Sequence, residues 1–321
     1  MFEYLITRPM GWIIEQIYNL VSNYGLAIIL FTVIIKLILL PLNIKSQKAM
    51  KKQQKIQPII AELQQKYAND QEKLQREMMK LYKENNVSMT GGCLPLLIQM
   101  PILIGLYSVI RRPITYLAGV TLEQFKNNPD IIAKVEEIVT AMGDKVGNVA
   151  NMTVEQIGQN AQIQLAKWAE IVHGAGHEWA VNFNFLGLDL SNNPSAALSS
   201  IMRMDFSNWH VIALLAIPVL AVIGSIAQTK ITQMQSGQNQ NSGNDSANQM
   251  AKSMNLMMPL MTAFFTLTLP AGLGIYWIVS SVVQIIQQIA LNYYFDKKGE
   301  DFVVTIPEKK QLHGAKSKKR K

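Results

Sequence analysis

GLAIILFTVIIKLILLPL, residues 25–42, is almost unbroken apolar sequence, interrupted only by Thr32, Lys36 and Pro41. It runs directly into Lys45, Lys48, Lys51, Lys52 and Lys55. A helix rises about 1.5 Å per residue, so crossing a hydrocarbon core of about 30 Å takes roughly 17–25 apolar residues. The stretch therefore reads as a first membrane span with a dense basic flank. Three further apolar blocks follow, at 93–110 (CLPLLIQMPILIGLYSVI), 209–227 (WHVIALLAIPVLAVIGSIA) and 254–291. The last is too long for one crossing. Pro270, Gly272 and Gly274 punctuate it, which predicts two spans, 254–269 and 271–291, joined by a tight turn.

The expected class is all-α: a polytopic membrane protein with five transmembrane helices around a hydrophilic groove, and a cytoplasmic helical hairpin. Charge sets the expected orientation. Segment 43–90 carries ten lysines and arginines against five acids, and the tail 292–321 nine against four. Segment 111–208, apart from its flanking Arg111 and Arg112, has five against ten. Cytoplasmic loops carry the excess of Lys and Arg, so the hairpin and tail are expected inside a bacterial plasma membrane. The N-terminus and 111–208 are then outside, and five crossings satisfy that parity. Arg111 and Arg112 run against the rule and read as interfacial anchors.

The remaining segments follow. Residues 1–24 hold a short amphipathic stretch, with Ile13, Ile14, Ile17, Leu20 and Val21 on one face, expected along the outer membrane surface. The start lacks the basic n-region of a cleavable signal, so the first apolar block is expected to be retained. Within 43–90, Ile56, Ile59, Ile60, Leu63 and Tyr67 form one helical stripe, and Leu74, Met78, Leu81 and Tyr82 a second. Asn69 to Glu72 between them has capping-box spacing, which predicts Asn69 as the N-cap of the second helix. Residues 228–253 are rich in Gln, Asn, Ser and Gly and read as a flexible cytoplasmic loop. The outer segment has helical pattern at Ile131 to Met142 and no evident role.

Enzyme chemistry finds little to use. The one cysteine, Cys93, rules out an intramolecular disulfide and reads as a small apolar residue. His173 and His177 have i, i+4 spacing, but Gly174 and Gly176 between them predict a loop, and no Glu follows His173 as a zinc-protease motif requires. No cofactor or metal is implied.

Lys36 is the informative residue. It lies about six residues, roughly 9 Å, inside span one, where a lysine costs on the order of 2.5–3.5 kcal/mol. Snorkelling to the headgroups is one reading; a shared polar cavity is the other. Polar stripes on other spans could line such a cavity: Trp277, Ser280, Ser281, Gln284, Gln287 and Gln288 in span five, Gly224, Ser225, Gln228 and Thr232 beyond span three, and Asn255, Thr262 and Thr266 in span four. Span two offers Gln99 alone. For the Ser and Thr positions, bonding to their own backbone is the plainer reading. Met250, Met254, Met257, Met258 and Met261 share a face of span four, which suits packing or an adaptable apolar contact. The run from Lys316 to Lys321 suits anionic lipid or ribosomal RNA.

GGCLPLLIQMPILIGLY (91–107) closely resembles the second span of YidC-type membrane protein insertases, in their bacterial form without a large periplasmic domain. YGLAIILFTVIIKLILLPL (24–42), FLGLDLS (185–191) and LPAGLGIYWIVSS (269–281) support the resemblance in the family's order. It implies five helices around a groove closed to the outside, a groove cation at Lys36 and groove positions at Gln228 and Trp277. Gln99, Ser281 and Gln284 complete the expected substrate groove. Many relatives carry Arg at the position of Lys36 and Asn at that of Ser281. The implied activity is non-enzymatic insertion of nascent integral membrane proteins into the lipid bilayer, with the ribosome met through the basic tail and a secretion channel as a candidate partner. A channel or secondary transporter is the rival class. It would call for intramembrane acids or inverted repeats, and no predicted span contains Asp or Glu.

Overall fold

A computed structural model describes residues 3–87, 94–204, 209–236 and 245–297, with side chains described except at 94–98, 235, 236 and 245–255. Cys93, the loop centre at 237–244 and the tail from 298, with its basic run, lie outside the described residues. So do the side chains of Met250, Met254 and Asn255.

The described residues are mostly helical. Contacts divide the chain into two compact units. The first comprises Met1–Pro41, Leu96–Thr229 and Met254–Gln287; the second comprises Leu42–Pro95, Lys230–Ser253 and Gln288–Lys321.

The first unit opens with a π-helical turn, Glu3–Thr7, and α1, Arg8–Val21. The apolar face expected along the membrane is divided. Ile14 and Ile17 are buried in the core, whereas Leu20 is 85% exposed. Helix α2, Tyr24–Ile38, is capped by Asn23, whose side chain accepts from the Leu26 N–H. It stops at Leu39, and α3, Leu40–Lys66, begins at once. Pro41 explains the break: it has no N–H to continue α2 and is tolerated only in a first helical turn.

The second unit contains most of α3 and α4, Gln71–Glu84. Their stripes meet in one buried cluster of Ile56, Ile60, Leu81, Tyr82 and Val87. The cap differs from the expected one. Asp70, not Asn69, is the N-cap, accepting from the Lys73 N–H at 3.0 Å. A carboxylate gains more than an amide from the positive end of a helix. Lys51 binds Asp296 at 2.5 Å and lies over the Phe295 ring.

Helix α5, Leu94–Arg111, leads to a layer of short helices: α6 (Pro113–Leu117), α7 (Leu122–Asn127), α8 (Pro129–Met142), α9 (Val154–Asn160) and α10 (Gln162–His173). Capping boxes start α7 at Thr121 with Gln124 and α9 at Thr153 with Gln156. Phe125, Val135, Ile138, Leu165 and Trp179 are fully buried between them. Each contributes about 1.5–3 kcal/mol in burial, and they belong to the same buried cluster as Ile14, Ile28 and Leu106. His173 is the last residue of α10 and only His177 is in the loop, so the expected loop pair is half helical. Their rings stack at 4.6 Å.

A two-residue hairpin follows, β1 (Asn184–Phe185) paired with β2 (Leu188–Asp189). Leu186 and Gly187 both have positive φ, as such a turn requires. Burial works against the charged Asp189 carboxylate, but Lys167 and the Ser191 hydroxyl and N–H outweigh it and hold its pKa below the usual range.

Next come α11 (Ser195–Met202), α12 (Trp209–Ala213), α13 (Ala216–Ser236), α14 (Asp245–Thr268) and α15 (Ala271–Lys297). Among the described residues, Trp209–Met234 and Ala271–Lys297 are long and apolar enough to cross a membrane; α2 with α3 gives a third if the broken pair is one span. Leu256–Thr268 is a shorter apolar helix.

Candidate functional site

Lys36 is 7% exposed, and its Nζ donates to Gln284 Oε1 at 3.2 Å. The helix break one turn beyond it creates a second contact. The last carbonyls of a helix have no partner within it. The carbonyl of Lys36 is one of these, and Gln287 Nε2 donates to it at 3.1 Å. Gln284 and Gln287 are thus two adjacent positions of one α15 face, one serving the ammonium and the other the backbone.

Buried polar side chains also occur on α13, α14 and elsewhere on α15. Ser280, Ser281, Gln284 and Gln287 are all buried. A Cβ on Gly224 would lie 3.1 Å from Ser281 Cβ, so α13 reaches α15 closely there because residue 224 has no side chain. Ser225 is buried, and the Thr262 hydroxyl on α14 reaches its Oγ at 3.4 Å. Thr32, Thr262 and Thr266 donate to carbonyls one turn back in their own helices, the plainer reading for such hydroxyls.

The six expected groove residues are therefore distributed. Lys36 and Gln284 share a hydrogen bond. Ser281 lies one turn before Gln284 and packs at Gly224. The Gln99 amide donates to the Tyr276 hydroxyl. Trp277 stacks on Phe265 at 6.1 Å. Gln228 is half-buried on α13, one turn beyond Gly224. The sequence places Gln287 in the span-five polar stripe but not among the six groove positions, and it leaves out Tyr276. The role of Gln287 depends on where α2 stops. Met257, Met258 and Met261 are exposed on α14.

A hydrogen bond to a neutral partner offsets much of the cost that a charge on Lys36 would carry. A lysine in a span costs on the order of 2.5–3.5 kcal/mol, and one hydrogen bond to a charged group returns about 1.5–3 kcal/mol. The neutral amide of Gln284 can balance much of that cost without neutralising the charge. No acid occurs in any of the apolar blocks to do so. Among the described residues no cluster of three or more His, Cys, Asp or Glu could hold a metal ion.

Apolar helices long enough to cross a bilayer, with a lysine and amides buried between two of them, define a multi-spanning helical membrane protein. Residues 16–298 match the family described as 60Kd inner membrane protein, and the chain belongs to that family. The membrane protein insertase YidC of Caldanaerobacter subterraneus subsp. tengcongensis is 29% identical over 283 residues, 88% of this chain and 92% of the relative. That of Clostridium perfringens is 31% identical over 296 residues, 92% and 84% of the two chains. That of Clostridium tetani is 52% identical over 115 residues, 35% and 52%.

Proposed function

We propose that this protein is a membrane protein insertase: it receives newly made integral membrane proteins and passes their apolar segments into the bilayer. The observation that carries the reading is Lys36, a buried lysine held by a neutral glutamine, in a chain whose relatives over most of its length are insertases. Five helices enclose a hydrophilic groove open to the cytoplasm, lined by Lys36, Gln99, Gln228, Trp277, Ser281 and Gln284. A short acidic outer segment of the client is drawn toward Lys36, because Coulomb attraction is stronger there than in water. Groove water keeps that segment hydrated. The client's apolar helix then leaves into lipid, and its burial completes insertion. No covalent step is involved. The basic tail meets the ribosome, where neutralised phosphates dominate affinity, and a secretion channel is a candidate partner.

Proteoliposomes containing only the purified protein should insert a single-span client with an acidic outer segment at least tenfold faster than lipid alone. Equal rates would reject the function.

The reading also fixes topology. In a Cys93→Ala background, cysteines at Ser22 and Asn127 should react with an impermeant thiol reagent on intact cells, whereas Asn69→Cys and Ser317→Cys should react only after the membrane is opened. Outside labelling of Ser317→Cys would overturn the five-span arrangement.

A further inference from the structure

Three candidate crossings, α2 (counted with α3 as one broken span), the α12–α13 stretch and α15, begin at one place. Each start is bonded to segment 182–192. At α2, the Tyr24 N–H donates to Asn182 O at 3.0 Å and Asn23 Nδ2 to Asn184 O at 2.7 Å. At α12, His210 Nδ1 lies 3.2 Å from Gly187 O as its donor. At α15, the first N–H, that of Ala271, donates to Asn192 O at 3.0 Å. The first N–H groups of a helix have no partner within it. Here carbonyls of one short segment satisfy such donors on α2 and α15.

The segment is built to hold those carbonyls still. Asp189 is its centre. Its carboxylate takes the Lys167 ammonium, the Ser191 N–H at 3.0 Å, the Ser191 hydroxyl at 2.5 Å and the Asn192 amide at 3.1 Å. Charge-assisted bonds of this kind are roughly twice as strong as neutral ones. The legs are anchored below by Phe183 and Leu190, 4% and 2% exposed, which share a backbone hydrogen bond. Tyr24 meets the Phe183 ring edge-on at 5.1 Å.

We propose that segment 182–192 is a clasp that fixes the spacing of the three crossing helices at their N-terminal ends, and that Asp189 is its positioning residue. Separation of these helices is then confined to their other ends. This goes beyond the insertase reading and stands without it, since its test measures access and not insertion.

The test uses the full chain in proteoliposomes, with Cys93→Ala as background. Ala27→Cys reports the clasped end; Ala27 is fully buried in the first turns of α2. Ser46→Cys, 2% exposed on α3, reports general loosening. Asp189→Ala should raise the labelling rate of Ala27→Cys by an impermeant thiol reagent at least tenfold and leave Ser46→Cys unchanged. Asp189→Asn, which keeps the acceptor for Ser191 at Oδ1 but loses the oxygen shared by Lys167 and Asn192, should fall between. Equal acceleration at both reporters would make Asp189 a residue of global stability only, and no acceleration at Ala27→Cys would mean the segment holds nothing; either overturns the clasp. If Asp189→Ala does not accumulate, Asn192→Ala, which deletes one amide contact, carries the same comparison.

Discussion

Lys36→Glu should reduce insertion of a client with an acidic outer segment by well over tenfold, while Lys36→Arg keeps most of the activity. The ordering follows from charge. At an effective dielectric of about 20, unit charges 4 Å apart interact by about 4 kcal/mol, and each 1.4 kcal/mol is about tenfold in rate. Reversing the sign turns attraction into repulsion, so Glu is worse than the neutral variant. Arg keeps the cation, although its planar fork does not match the single Gln284 acceptor as an ammonium does. Lys36→Ala separates function from folding. It leaves the buried Gln284 oxygen without its donor, a cost of about 1–3 kcal/mol, and relieves a buried charge worth about 2.5–3.5 kcal/mol. The two nearly cancel, so stability should change little while acidic clients insert poorly. Activity should return as the client's acids are replaced by amides. Matched clients differing only in those acids, inserted by the Lys, Arg, Ala and Glu forms, provide the measurement. Equal rates for all four on the acidic client would reduce Lys36 to a structural residue.

Much of this site is legible in the sequence because helical periodicity survives inside apolar runs. Lys36 stands out as the charged residue within its block, and Gln284 and Gln287 fall on one face of theirs. The pairing of Gln287 with the Lys36 carbonyl is not legible. It depends on α2 ending at Ile38, and an apolar run hides that end, although Pro41 marks it. In the lysine-rich hairpin the two stripes predict the contacting residues, Ile56, Ile60, Leu81 and Tyr82. The cap is displaced by one residue because Asn69 and Asp70 both qualify and the carboxylate is the better match to the helix end. The layer of short helices is the least readable region. Helices of five to seven residues, such as Pro113–Leu117 and Val154–Asn160, are too short to show a period. Their start signals were nevertheless present, in Thr121 with Gln124 and Thr153 with Gln156.

Gly25→Ala should lower stability by about 1–3 kcal/mol, the range for overpacking a filled site, and Gly25→Val by more. The direction is informative because an exposed helical Gly→Ala change is favourable by up to about 1 kcal/mol. At Gly25 an added Cβ would lie 2.5 Å from Phe185 Cγ and 2.7 Å from its Cβ. The Phe185 Cβ is fixed to the backbone of β1, so rotating the ring does not relieve that contact and the hairpin itself must move off the start of α2. Gly176 is the control, since an added Cβ there meets nothing within 4 Å, and Gly176→Ala should stay within about 0.5 kcal/mol of the parent. Thermal unfolding in detergent would measure both. Phe185→Gly, which removes the Cβ at residue 185 as well as the ring, supplies the decisive comparison. In that background the Cβ at residue 25 has room, the intrinsic preference for Ala should reappear, and Gly25→Ala should become neutral or stabilising. The resulting coupling should exceed about 1 kcal/mol, as for residues in direct contact. If Gly25→Ala melts at or above the parent with Phe185 intact, the hairpin does not press on the start of α2, and the close approach there is not what holds the two together.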